Sequence, residues 1–228
     1  MRRNGNGKIL AGLGWMAAFA VWTMLIQTVD VRAVGPNGTT VGFAALNGWF
    51  HGVTGVHWML YIVTDWLGLV PVGVCAVFGA VGLAQWIRRK RLTAVDADIL
   101  LLGGYYVVVL AAYLLFERFP VNYRPVLVEE RLEASYPSST TLLVLSVMPT
   151  ARFQAARRID SAAARNGIRG LTVVFSVLMA AGRAVSGVHW LTDIVGAALL
   201  SAGLFSLYRG AVLHLDARER KRKQGGIA

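Results

Sequence analysis

The residues best suited to chemistry in this sequence are His189 and Asp193, which lie four positions apart at the start of an apolar stretch. On a helix this spacing puts both side chains on one face. The carboxylate can then accept the Nδ1–H of the imidazole, which fixes one tautomer and leaves Nε2 free as a nucleophile or base. A polar contact between two membrane helices would explain the same pair without catalysis, so further residues must decide.

Two arginines and a helix start supply such residues. Arg183 lies six positions before His189, and Arg124 is followed by a proline. The segment 136–141 has a proline followed by four hydroxyl residues, a pattern that starts a helix and leaves backbone N–H groups free for an anion. Guanidinium groups match the oxygens of phosphate with paired hydrogen bonds. Each arginine alone could be an interfacial anchor or an ion-pair partner, but together these groups predict a phosphoryl-transfer site.

The order and spacing of these residues match three motifs of a known family. The first group ends in Arg124-Pro125, the second reads Pro137-Ser138-Ser139-Thr140, and the third has Gly182-Arg183, five residues, His189, three residues and Asp193. The sequence thereby resembles the type 2 phosphatidic acid phosphatase family, which includes the vanadium haloperoxidases and has the motifs KxxxxxxRP, PSGH and SRxxxxxHxxxD. The third motif is the most specific, and the resemblance covers residues 97–208.

This resemblance implies an integral membrane phosphatase that acts on a lipid phosphate or diphosphate, with no metal and no other cofactor. His189 would attack phosphorus and form a phosphohistidine, while Asp193 would orient the ring and stabilise its charge. The phosphate oxygens would be held by the following groups: Arg124, Arg183, Ser138, and the amides near Ser139 and Thr140. A phosphotransferase on the same scaffold is one alternative. A catalytically silent member that binds lipid phosphate is another.

The sequence departs from the family pattern at positions that affect the chemistry. Glu117 occupies the position of the motif lysine, and Gly182 replaces a serine. The adjacent Arg118 could supply the lost positive charge, one residue out of register. Thr140 occupies the position of the histidine that protonates the leaving group in the family. Threonine cannot act as a general acid near neutral pH, so the source of this proton is an open question.

Three explanations of Thr140 are open at this point: another residue is the acid, the leaving group needs no proton, or the protein does not catalyse. Candidate acids are Glu117, His57 and Tyr123. The second explanation predicts a preference for lipid diphosphates, such as polyprenyl diphosphates, because phosphate is a better leaving group than an alkoxide. His57 lies in a Gly-Val-His-Trp sequence that recurs at 187–190, but a tyrosine follows where His189 has Asp193, and chance is the better explanation of the repeat.

The elements that must position these residues are membrane helices. Of the 228 residues 56% are hydrophobic and 15% charged, and several apolar stretches approach the roughly 20 residues that cross a bilayer. The sequence predicts an all-α fold, in which a single membrane domain forms a bundle of six transmembrane helices with an additional interfacial helix. The predicted spans are 9–28, 58–86, 97–116, 139–155, 168–182 and 189–208, and the interfacial helix is 42–54. Asp65 and Pro71 interrupt the second span.

The charge distribution predicts the orientation of these spans. Most of the 23 Lys and Arg residues would lie on one side of the membrane, in four groups that include Arg2 and Arg3, 88–91, 152–169 and the basic tail 209–228. Because positive residues favour the cytoplasmic side, we expect both termini in the cytoplasm and the polar loops 117–138 and 183–188 outside the plasma (inner) membrane. Topology and contact with anionic lipid thus explain the net charge of +11, and no nucleic-acid partner is predicted.

Overall fold

The computed structural model describes residues 5–225, except for the side chains of residues 222, 223 and 225, and within that range it contains eight α-helices and no β-strand. The helices are α1 (Gly5–Thr28), α2 (Ala44–Thr54), α3 (Trp58–Leu67), α4 (Leu69–Arg89), α5 (Ala97–Arg118), α6 (Ser139–Arg158), α7 (Ala162–Val185) and α8 (Leu191–Gly225). Short 3₁₀ turns lie at Pro36–Gly38 and Leu92–Ala94. The predicted all-α fold is confirmed. Arg2, Arg3 and the last residues of the basic tail lie outside the described residues.

Five segments of the described chain are long and apolar enough to cross a membrane: Gly5–Thr28, Trp58–Arg89, Ala97–Arg118, Ala162–Val185 and Leu191–Lys221. The remaining predicted span is the fourth, 139–155, which corresponds to α6; this helix is long enough but less apolar. The reason is that α6 packs against α4, α5, α7 and α8. Its polar residues therefore face protein: Thr150 bonds with Tyr106, and Gln154 donates to the Tyr208 hydroxyl.

The second predicted span is interrupted, as Asp65 and Pro71 indicated. The break lies between them at Gly68, whose N–H donates to the carbonyl oxygens of Thr64 and Asp65. Pro71 then lies in the first turn of α4, where its missing N–H costs no helical hydrogen bond. The break lets α3 pack against α7 while α4 packs against α5 and α6.

The additional helix is α2, which begins at Ala44, two residues after the predicted start, and ends at Thr54 as predicted. Its apolar side chains Leu46, Trp49 and Val53 are exposed, as expected of a helix at a membrane interface. Its buried side is fixed by Asn47, whose side-chain amide donates to the Thr192 hydroxyl and whose amide oxygen accepts from the Thr192 N–H. Helix α2 is thereby attached to the start of α8.

Helices α1 and α8 pack closely along much of their length because small residues line the contact. A Cβ on Gly203 would lie 2.7 Å from Met16 Sδ, and one on Gly12 would lie 2.7 Å from Leu207 Cγ. Glycine at such contacts lets two membrane helices approach closely. Helix α8 also continues beyond the predicted end at Tyr208, through part of the predicted basic tail, because that segment is rich in Ala, Arg, Glu and Lys, which favour helix.

Candidate active site

The loop between α7 and α8, residues 186–190, holds His189. Gly187 in this loop has φ +73°, and a Cβ there would overlap the carbonyl oxygen of Gly55. The N–H of His57 donates to the carbonyl oxygen of Ser186 at 2.9 Å. The two Gly-Val-His-Trp sequences therefore pack against each other, and each precedes a helix. This contact gives the repeat a structural role that the sequence alone did not reveal.

The carboxylate of Asp193 lies beside the imidazole of His189, but a serine lies between them. The Nδ1 of His189 is 3.6 Å from Asp193 Oδ2, which is too long for the direct hydrogen bond that we expected. Ser135 Oγ lies 3.2 Å from that Nδ1 and donates to Asp193 Oδ2. Asn122 Nδ2 and the Trp190 N–H also donate to Asp193, at 3.1 and 2.9 Å. Because the serine hydroxyl donates to the carboxylate, it accepts the Nδ1–H of His189, and Nε2 keeps its lone pair.

This Nε2 is buried and has no hydrogen-bond partner among residues 5–225. Burial lowers the pKa of His189 to about 4, and the positive charges of Arg124 and Arg183 act in the same direction, while Asp193 opposes them. The imidazole is therefore neutral at pH 7. A neutral ring with a free Nε2 lone pair is the form that can act as a nucleophile.

The two arginines meet on the ring of Tyr61. The guanidinium carbon of Arg183 lies 4.8 Å from the ring centroid and that of Arg124 lies 5.8 Å from it. Arg183 Nη1 is 3.5 Å from Asp65 Oδ1, and Arg124 Nε is 3.1 Å from Glu133 Oε2. In the described chain, Arg183 Nε and Arg124 Nη1 are buried without a hydrogen-bond partner. Two buried cations side by side favour an anion between them, because each otherwise remains incompletely paired.

The start of α6 lies next to this group. Ser138 is fully buried, its N–H donates to the carbonyl oxygen of Asp193 at 3.3 Å, and its hydroxyl donates to Thr141 Oγ1. Ser139 and Thr140 form the first turn of α6, where backbone N–H groups have no acceptor within the helix. The structure thus brings the predicted Ser138, Ser139 and Thr140 to the same end of the bundle as His189.

The two uncertain positions of the first motif are placed differently. Glu117 lines a small cavity together with Ser135, Ser139 and His189. Arg118 is exposed, and its guanidinium lies over the ring of its neighbour Phe119 instead of lining that cavity. The structure therefore brings the carboxylate of Glu117 towards the site and not the cation of Arg118.

Four residues at the site had no predicted role: Tyr61, Asp65, Asn122 and Ser135. Asp65 had a readable signal, because an ionisable side chain within an apolar span is by default a candidate functional residue. Tyr61 was also marked, as the residue four after His57 in the repeated sequence. No pattern marked Ser135, whose contacts with His189 and Asp193 join residues far apart in the chain.

No family model matches this sequence, and no curated protein matches it. The fold is similar to the crystal structure of the first transmembrane PAP2 type phosphatidylglycerolphosphate phosphatase from Bacillus subtilis. The two share 18% sequence identity with a TM-score of 0.61, over 88% of this chain and 94% of that chain. This likeness shows that the chain has the fold of a transmembrane PAP2 type phosphatase.

Proposed function

We propose that this protein is an integral membrane phosphatase that removes phosphate from a lipid phosphate or diphosphate, with His189 as the nucleophile. The observation that supports this most is a neutral His189 whose buried Nε2 has no hydrogen-bond partner in the described part of the chain, beside two buried arginines that are incompletely paired there. The similar structure from Bacillus subtilis is that of a phosphatidylglycerolphosphate phosphatase.

The reaction would proceed in two displacements at phosphorus. The substrate phosphate binds to Arg124, Arg183 and the N–H groups at the start of α6. His189 Nε2 then forms a bond to phosphorus as the bond to the lipid oxygen breaks. The ring gains a positive charge, which Asp193 stabilises directly and through the hydroxyl of Ser135. In the second step water attacks the phosphohistidine, and inorganic phosphate leaves.

Phosphate release by the purified protein tests this proposal. We expect inorganic phosphate from lipid monophosphates or diphosphates in detergent, without an added acceptor and with metal chelator present. Transfer of the phosphoryl group to an added alcohol or glycan acceptor, without release of inorganic phosphate, would favour the phosphotransferase. A folded protein that binds lipid phosphate but releases none from either class would contradict the proposed activity and favour the silent member.

The proposed orientation places both termini in the cytoplasm and the site at the outer face of the plasma (inner) membrane. It is supported by the distribution of charge, since the basic segment 88–91 lies at the opposite end of the bundle from His189, as do Arg157 and Arg158. We expect a membrane-impermeant thiol reagent added to intact cells to label Arg131→Cys but not Arg218→Cys, each in a Cys75→Ala background. The reverse pattern would contradict the orientation.

A further inference from the structure

A cleft of about 520 Å³ runs from the start of α6 into the bundle, between α4, α5 and α6. Its mouth has the side chains of Asp65, Ser139 and Thr140, and its lining then continues through residues such as Leu110 and Val147. A lipid whose phosphate binds to the arginines can place its hydrocarbon chain only in an apolar space. This cleft offers such a space directly beside the proposed phosphate site.

The position of the lipid's hydrocarbon chain determines where the leaving oxygen lies. In an in-line displacement the attacking and leaving atoms lie on opposite sides of phosphorus. The attacking atom is His189 Nε2, and the leaving oxygen carries the lipid. If the lipid occupies the cleft, the leaving oxygen lies at the mouth, and a general acid that protonates this oxygen would act there.

The side chains at the mouth differ in their ability to supply a proton. The hydroxyl groups of Ser139 and Thr140 cannot do so near neutral pH. Asp65 can, and it lies on α3 next to Gly68, where a Cβ would lie 3.3 Å from Thr140 Cγ2. The backbone of α3 thus reaches the position that Thr140 leaves without an acid.

The acids considered from sequence are less well placed. His57 is exposed, its Nε2 bonds with the carbonyl oxygen of Thr54 at 2.8 Å, and it does not line the cleft. Glu117 lines the cavity on the side of the nucleophile, together with His189 and Ser135. Neither Glu117 nor Tyr123 lines the cleft.

We propose that Asp65 is the general acid of this enzyme, in place of the histidine that the family has at position 140. This inference depends on the proposed function. The carboxyl group of Asp65 donates its proton to the leaving oxygen as the phosphorus–oxygen bond breaks and the bond to His189 Nε2 forms. The carboxylate then accepts a proton from the water that attacks phosphorus, and the bond to Nε2 breaks. The products are a lipid alcohol and inorganic phosphate, or a lipid monophosphate and inorganic phosphate from a diphosphate, with Asp65 again protonated.

The position of Asp65 brings it close to the proposed phosphate site. Its Oδ1 lies 3.5 Å from Arg183 Nη1, and its side chain is 57% exposed. A substrate phosphate that binds to Arg183 therefore lies close to the carboxyl group of Asp65.

A comparison of leaving groups tests the role of Asp65. A lipid monophosphate has a poor leaving group that needs a proton, whereas p-nitrophenyl phosphate has a good one that does not. We expect Asp65→Asn to lower kcat/KM for the lipid monophosphate by roughly 10²–10⁴-fold, the usual contribution of a general acid. For p-nitrophenyl phosphate we expect kcat/KM to fall by no more than about threefold, because its leaving group needs no proton. The asparagine oxygen can keep the contact with Arg183, so positioning is disturbed little.

The matched controls are Glu117→Gln, which removes the carboxylate that lines the cavity beside His189, and Tyr113→Phe, which removes a hydroxyl from the wall of the cleft. Neither control variant is expected to lower kcat/KM for the lipid monophosphate more than for p-nitrophenyl phosphate. If Asp65→Asn lowered kcat/KM equally for both substrates, Asp65 would only position Arg183. If it lowered kcat/KM for neither, Asp65 would have no role in the reaction. A selective loss in Glu117→Gln would make Glu117 the acid. An unmodified protein that hydrolyses neither substrate would instead contradict the proposed function itself.

Discussion

Each end of the helical bundle has a pair of arginines, and the two pairs find different partners. At the end that holds Gly5 and the later part of α8, Arg157 binds both carboxylate oxygens of Asp216, at 2.8 and 2.9 Å. Its Nε also donates to Asp98 at 3.2 Å, and Arg158 Nη2 donates to the other oxygen of Asp98 at 2.9 Å. These arginines join α5, α6 and α8 and have carboxylates of the chain as their partners.

At the other end, Arg124 and Arg183 are more deeply buried, with 7% and 1% of their surface exposed, yet they are less well paired. Their nearest carboxylates belong to Glu133 and Asp65, and guanidinium nitrogens on both lack a hydrogen bond among residues 5–225. Buried polar groups are normally satisfied, so a group that is not requires an explanation. The difference indicates that one pair stabilises the fold and the other binds an external anion.

The largest expected effect is a loss of activity when the residue changed lies at the end of the bundle that holds His189. His189→Ala should lower phosphate release by at least about 10⁴-fold, because it removes the nucleophile. It should leave the protein folded, since in the described structure Nε2 has no hydrogen bond and the ring loses only the contact of Nδ1 with Ser135. The measurements are phosphate release and a thermal unfolding curve in detergent.

The control lies at the opposite end. Asp98→Asn should leave activity near that of the unmodified protein, but should lower the free energy of unfolding by about 1–3 kcal/mol, because two arginines lose a charged acceptor. Substantial activity in folded His189→Ala would rule out the phosphohistidine, whatever the effect of Asp98→Asn.

A smaller effect is expected from substitutions that keep the charge. Arg183→Lys loses the planar fork that matches phosphate and should lower kcat/KM by roughly 10²-fold, as for loss of one oxyanion donor. Arg157→Lys makes the same chemical change at the other end, where it should affect stability and not kcat/KM. If both variants lowered kcat/KM equally while their unfolding temperatures matched, the proposed distinction between the two pairs would be wrong.

The sequence was sufficient to predict the helices and to select some residues of the candidate site, because both depend on local patterns. Apolar stretches predicted most helix boundaries to within a few residues. The spacing within the third motif selected His189, Asp193 and Arg183. The contacts that complete the site join distant positions. Ser135 reaches His189 across 54 residues and Arg183 reaches Thr64 across 119, and such pairs leave no periodic signal. The polarity of α6 was likewise explained only by its neighbours.

The smallest expected effect is on the pH dependence of the reaction, and it tests whether the two arginines act on His189. An ordinary histidine has a pKa of about 6.5 and would be about 90% protonated at pH 5.5. Burial and the two arginines lower the pKa of His189 to about 4, so its ring stays neutral at pH 5.5. The value of kcat/KM reports the ionisation of the free enzyme. Protonation of His189 should therefore lower kcat/KM by less than about twofold at pH 5.5, whereas protonation of an ordinary histidine would lower it about tenfold.

The same shift fixes the sign of the effect on stability. The unfolded chain binds a proton at this histidine below pH 6.5, whereas the folded chain does not until about pH 4. This contribution to stability is therefore present above pH 6.5 and is lost as the pH falls towards 4.

Arg183→Gln removes one nearby positive charge, so it should raise the pKa of His189 and move the acid limb of kcat/KM towards neutral pH. Arg157→Gln removes a charge at the far end and should leave that limb in place. Measuring both variants on one substrate cancels the ionisation of the substrate itself. An acid limb that is the same in both variants would show that the charge of Arg183 does not act on the nucleophile.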